Sequence, residues 1–134
     1  MAVLKSDSVA LRNSSDIVSA RQIARAWSIE VGFGLIDQTK IVTAASELAR
    51  NTLDYGGGGT MQLEIVQQNM RQGLRLTFQD AGPGIPPDLE LALKDGYTTG
   101  NGMGLGLSGS RRLMNEFDIQ SSSEGTRVSV TRWK

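Results

Sequence analysis

Three separate stretches of the chain carry residue types whose spacing suits one ligand. Glu47 and Asn51 lie four apart in a run of helical periodicity, so both side chains project from one face. Their neighbours Ala44, Ala45, Leu48 and Ala49 are small and apolar, and a carboxylate with an amide among them needs a polar partner. Asp80 closes a strand-like run directly before Ala81-Gly82-Pro83-Gly84. There a carboxylate can accept hydrogen bonds from an exocyclic amine, while glycines let a flat ligand lie against the main chain. The third stretch, TTGNGMGLGLSGSRRL at 98–113, holds five glycines and leads into helical spacing. A helix N-terminus presents unpaired N–H groups, and glycine before it lets a phosphate approach the backbone.

The glycine run matches none of three well-known phosphate loops. A Walker A loop requires lysine and a hydroxyl residue after its last glycine, and neither stands there. Gly104 to Gly109 satisfies the dinucleotide pattern G-x-G-x-x-G literally. That pattern must follow a strand and open a βαβ unit, whereas here a helical segment and a polar loop come first. The protein-kinase glycine loop is followed by catalytic segments for which this chain has no counterpart.

Composition removes other chemistries. The 134 residues fit one domain, 1–134, which buries about two thirds of its unfolded surface. Lysine plus arginine equals aspartate plus glutamate, so no broad positive field draws the chain to nucleic acid or an anionic membrane. Cysteine and histidine are both absent, which excludes thiolate and histidine metal sites, serine-histidine triads and histidine autophosphorylation. No apolar run reaches the ~20 residues of a membrane span, and MAVLKSDSVALR lacks a secretory apolar core. A cytoplasmic location is expected.

These residues need elements to hold them. Residues 3–11 alternate weakly and predict an edge strand. Ile17, Ala20, Ile23, Ala24, Trp27 and Val31 predict a helix from Ser15, with Ser14 or Ser15 as N-cap and Gly32 and Gly34 as stops. A second helix is predicted from Asp37 through Ile41, Leu48 and Leu53 into Gly56–Gly59, glycines to which no function is given. MQLEIVQQ (61–68) and LRLTFQD (74–80) alternate at period two around a longer loop, NMRQG. A short helix is expected between Pro87 and Gly96, and another through Leu107, Leu113, Met114 and Phe117. Residues 119–123 and 126–134 read as a terminal hairpin turning at Glu124-Gly125. The predicted class is α+β: a two-layer sandwich with a mostly antiparallel sheet and helices on one face.

The order of the three stretches resembles the GHKL superfamily of ATPases and kinases, whose nucleotide-binding fold is the Bergerat sandwich. ELARN (47–51) looks like its N box, DAGPGI (80–85) its first glycine box and GMGLGL (102–107) its second, with Gly125-Thr126 matching a later Gly-Thr pair. The similarity spans residues 15–134. Within the superfamily, residues 95–119, the SARQ segment (19–22) and the histidine-free format look most like the stand-alone serine/threonine kinases of bacterial stress signalling.

The resemblance implies ATP and Mg²⁺ bound between sheet, helices and a lid at 94–101. It casts Glu47 as general base, Asn51 as Mg²⁺ ligand and Asp80 as the acceptor for the adenine amine. Gly82 and Gly84 would let the base dock, and Thr126 would support it. The backbone of Gly102, Met103, Gly104, Leu105, Gly106 and Leu107 would cradle the phosphates. Lys94 and Arg111 border these loops, but neither is identified as a contact for the γ-phosphate. The implied substrates are STAS-domain scaffold or antagonist proteins of a stressosome, and the implied partner is a PP2C-type phosphatase. Two alternatives stay open: an anti-sigma-factor kinase, and a nucleotide-gated binding module without catalysis. A gyrase- or chaperone-like ATPase is disfavoured, since no transducer domain follows the last strand.

Overall fold

The computed structural model describes residues 1–82 and 109–134. The elements run β1 (Ala2–Leu11), α1 (Ser14–Val31), α2 (Leu35–Asp54), β2 (Gly59–Gln68), β3 (Arg71–Asp80), β4 (Glu116–Ser122) and β5 (Gly125–Trp133). A helical segment at 109–113 precedes β4. The strands form an antiparallel sheet ordered β1-β2-β3-β5-β4, so β1 is an edge strand as its weak alternation predicts.

Register explains why the core sits on one face. Leu63 pairs with Leu76, Leu76 with Val130, and Phe78 with both Met61 and Val128. Cross-strand partners point to the same side of a sheet, so these alternating residues make one apolar surface. Ile17, Ala20, Ala24 and Trp27 of α1 and Ile41, Ala44, Ala45 and Leu48 of α2 join it in one core. The predicted α+β sandwich is therefore present. Truncating a fully buried leucine such as Leu63 would cost about 2–5 kcal/mol. Among the described residues no helix is long and apolar enough to cross a membrane.

Several boundaries differ from the sequence reading. Asn13, rather than Ser14 or Ser15, caps α1: its side-chain oxygen accepts from the backbone N–H of Ser15 (3.1 Å) and Asp16 (3.3 Å). Gly32 ends that helix at φ 100°, and Gly34, expected as a second stop, is instead the N-cap of α2. The loop expected over 69–73 is a tight turn, because Gln68 pairs with Arg71 and Asn69 and Met70 both take positive φ. That geometry matches the twist of a two-residue hairpin. Ser122 pairs with Gly125, so the last hairpin turns at Ser123-Glu124. The helix expected through Phe117 stops at Leu113, and Phe117 belongs to β4 opposite Val130. The helix expected between Pro87 and Gly96 lies outside the described residues.

The arrangement gathers one end of the sheet for the site. Gly59 at the start of β2 pairs with Asp80 at the end of β3, and β5 begins beside them with Gly125 and Thr126. α2 runs toward this same end, where Gly58 N–H donates to Thr52 O at 3.1 Å.

Candidate active site

Asp80 is held by backbone. Its Oδ1 accepts from Gly82 N–H (2.9 Å) and Thr126 N–H (3.3 Å), so one carboxylate oxygen is committed to fixing the orientation of the group. Oδ2 lies beside Gly56 and takes no hydrogen bond from any described residue, which leaves it able to accept one. Thr126 contributes its amide to this arrangement, while its hydroxyl shares a hydrogen bond with Ser121 at 3.2 Å.

Two glycines are required here by close approach. A β-carbon on Gly56 would collide with the Asp80 carboxylate, and one on Gly125, at φ 149°, with the Asp80 carbonyl. Gly82 is hemmed in as well: its β-carbon would come within 2.8 Å of Gly56 Cα. Chain packing thus already demands glycine at 82, apart from any ligand. The run Gly56–Gly59, which sequence reasoning left without a role, joins α2 to the Asp80 corner. The missed signal was positional. Glycines stood directly after the helix carrying Asn51, and the segment they approach is more than twenty residues further along.

Glu47 and Asn51 lie on α2, both half-buried. The Glu47 carboxylate forms no hydrogen bond or ion pair with any described residue. Asn51 goes further, since its side-chain Nδ2 is buried with no partner at all among the described residues. A buried amide left unsatisfied costs about 1–3 kcal/mol, so the position suits a partner beyond the described residues. The two terminal atoms of an amide are interchangeable in position, and the same location can present oxygen. Among the described residues no three acidic groups converge into a metal cage. Any cation here would need ligands from a bound molecule as well.

The structure therefore joins Asp80, Gly82 and Thr126 in one corner, with Asn51 and Glu47 on the helix that leads into it. Gly84 and Gly102, Met103, Gly104, Leu105, Gly106 and Leu107 lie outside the described residues, as do Lys94 and the segment expected to form a lid. Arg111 lies within the described helical segment 109–113 and is engaged in contacts of its own.

A free acceptor fixed by backbone, a glycine-lined corner and an orphan amide are features of a nucleotide cleft, and residues 36–134 match the family described as "Histidine kinase-, DNA gyrase B-, and HSP90-like ATPase". The chain belongs to this ATPase family. Membership carries ATP use with it. The curated Serine/threonine-protein kinase RsbT of Bacillus subtilis (strain 168) is 45% identical over 119 residues, covering 88% of this chain and 89% of that protein. Kinase activity on serine or threonine follows from that relationship. Solved structures share the fold of this ATPase-family chain at lower identity. The RsbU and RsbW domains of Rv1364c from Mycobacterium tuberculosis align with a TM-score of 0.66 and 18% identity, over 97% of this chain and 33% of that one. The SiaB-SiaC complex from Pseudomonas aeruginosa aligns with a TM-score of 0.57 and 12% identity, over 98% of this chain and 91% of that one.

Proposed function

We propose that this serine/threonine kinase transfers the γ-phosphoryl group of ATP to a STAS-domain scaffold or antagonist protein in a bacterial stress-response partner switch. When released from that protein it binds and activates a PP2C-type phosphatase. The observation that carries the reading is the Asn51 amide, without a partner among the described residues, one helical turn from a Glu47 that is likewise unpaired among them, on a helix followed by Gly56 packed against Asp80.

Each residue has a physical task in this reading. Asp80 Oδ2 accepts the adenine amine, held in place by the amides of Gly82 and Thr126. Gly84 lets the base dock, and the backbone of residues 102–107 holds the β- and γ-phosphates. Asn51 would hold Mg²⁺ through its amide oxygen, and the ion would supply charge neutralisation at the transferring group. Glu47 orients the target hydroxyl and accepts its proton as the oxygen bonds to the γ-phosphorus and the bond to ADP breaks. The partner-switching context rests on the kinase relative and on the RsbU and RsbW domains named among the structural neighbours.

The test incubates the purified chain with radiolabelled ATP, Mg²⁺ and STAS-domain proteins of the same host. Label on a serine or threonine of the STAS protein supports the reading. Nucleotide binding without transfer would overturn it in favour of a gated binding module, and co-purification with a sigma factor would favour an anti-sigma kinase.

A further inference from the structure

β1 is ten residues long, and its backbone pairs with β2 on one side and with no strand among the described residues on the other. Such an edge is a template for a further strand. Ser8 N–H donates to Asp7 Oδ1 at 2.8 Å, so it is turned away from β2. Backbone direction alternates along an antiparallel strand. Within the regular stretch Lys5–Leu11, Ser6, Ser8 and Ala10 therefore present their N–H and C=O groups outward, while Lys5, Asp7 and Val9 bond to β2. The side chains of Lys5 and Asp7 share the helix-bearing face, since their partners across the ladder, Ile65 and Leu63, are core residues. Lys5 is held at the edge by Glu30 at 2.9 Å and by the Trp27 ring, 4.4 Å from its centroid, yet remains 44% exposed. Asp7 is exposed and forms no ion pair among the described residues.

These charges select the strand that fits. An apolar strand laid along β1 would leave a lysine and a carboxylate against it without partners, whereas a second copy supplies both. Antiparallel pairing about a two-fold axis at Ser6 sets Lys5 opposite the partner's Asp7 and Asp7 opposite the partner's Lys5. The outward groups of Ser6 then bond to their own copies. The flanking Lys5–Asp7 pairs are of the kind without backbone hydrogen bonds, in which Cα atoms lie only ~4.5 Å apart and side chains approach most closely. Other two-fold centres lose this match: one at Asp7 opposes two carboxylates, and one at Ser8 sets Asp7 against Val9 and Lys5 against Leu11. The other edge strand, β4, carries Glu116 and Asp118 with no lysine or arginine, so a copy of itself would be repelled. We infer that β1 is a homodimer interface, through which two copies of this chain form one continuous sheet with Ser6 on the two-fold axis and reciprocal Lys5–Asp7 pairs beside it. The irregularity between Val3 and Lys5 keeps the shared ladder short, which leaves the charge pairs to set its register. The inference stands independently of the nucleotide reading.

Sedimentation equilibrium of the full chain over a concentration series tests the interface. Monomer and dimer are expected with no larger species, since a two-fold contact closes on itself. Lys5→Glu and Asp7→Lys should each weaken the dimer by about tenfold or more, because each turns both symmetry-related pairs from attraction to repulsion. Asp7→Lys breaks no ion pair within the chain, so its effect is read apart from the loss of Lys5 contacts with Glu30 and Trp27. Mixed in equal amounts, the two variants should dimerise with each other, since the chain carrying Lys5→Glu offers two acids to the two lysines of the chain carrying Asp7→Lys. That rescue reports the Ser6 register and requires both variants to be folded. A monomer at every concentration, species larger than a dimer, single variants that dimerise like the unaltered chain, or a mixture that stays monomeric would each overturn the inference.

Discussion

The carboxylate of Asp80 and the α-carbon of Gly56 meet with no room for a β-carbon between them, although the residues are more than twenty positions apart. Gly56 does not take positive φ, so alanine there is acceptable to the backbone and acts by volume alone. Gly56→Ala should displace Asp80 and cut ATP affinity by about tenfold, equivalent to about 1.4 kcal/mol. The accompanying overpacking costs about 1–3 kcal/mol of stability. Isothermal titration beside a melting curve checks both, and unchanged affinity would remove Asp80 from the nucleotide contact.

Asp80→Asn separates shape from charge. The amide oxygen can still accept from Gly82 and Thr126, which turns the NH₂ toward the place where Oδ2 was free. A donor then faces the adenine amine. A hydrogen bond to a charged group contributes about 1.5–3 kcal/mol, so ATP affinity should fall about 10- to 100-fold with the fold retained. Circular dichroism and titration test this together, and wild-type binding would contradict the assignment.

What the sequence revealed and what it concealed follow from the range of each interaction. Helical spacing placed Glu47 and Asn51 on one face of α2, and period-two alternation found β2, β3 and β5, because both patterns answer to a core that covers one side of each element. Boundaries were set by competition among near neighbours. Asn13, Ser14 and Ser15 are all good N-caps, and only the observed geometry selects Asn13. Leu113, Met114 and Phe117 suit a helix by spacing, yet Phe117 pairs opposite Val130 in the sheet. The role of Gly56 was invisible for a different reason. Glycine has no side chain to make a pattern, and its importance comes from a carboxylate distant in the chain.

Asn51→Ala distinguishes a binding group from a structural one. Because Nδ2 lacks a partner among the described residues, its removal leaves no new unsatisfied group there, and stability should stay level or rise by up to about 1 kcal/mol. A structural amide would show the opposite sign. Adding Mg²⁺ and ATP should raise the melting temperature of the unaltered chain but not of this variant. A normal ligand-induced shift in Asn51→Ala would exclude the amide from the metal site.

Glu47→Gln keeps the size of the side chain and removes its basicity. With no ion pair to lose among the described residues, the folded state should be little affected. Nucleotide affinity should remain near that of the unaltered chain, while transfer to the protein substrate falls by about 10²- to 10⁴-fold, the usual contribution of a positioned general base. Single-turnover kinetics with prebound ATP isolates that step. Transfer at an undiminished rate would assign the proton to another acceptor.

The entry to α1 provides a prediction with a defined pH sign. Arg12 donates from its side chain and its backbone to Asp16 Oδ2, at 3.1 and 2.8 Å, and these bonds, the side-chain one foremost, hold the Asp16 carboxyl below the usual range. A depressed carboxylate contributes stability that is fully present above its unfolded pKa, about 3.9, and is lost as pH falls through the lower folded value. The melting temperature of Asp16→Asn should therefore lie below that of the unaltered chain by a constant amount at neutral pH. The gap should close as acid protonates Asp16, and salt should narrow it at neutral pH, as expected for a surface pair. Asn13→Ala, which removes the neighbouring uncharged cap, should cost about 1 kcal/mol with no such pH dependence. A gap for Asp16→Asn that widened in acid would show that the carboxyl is not held in its charged form by Arg12.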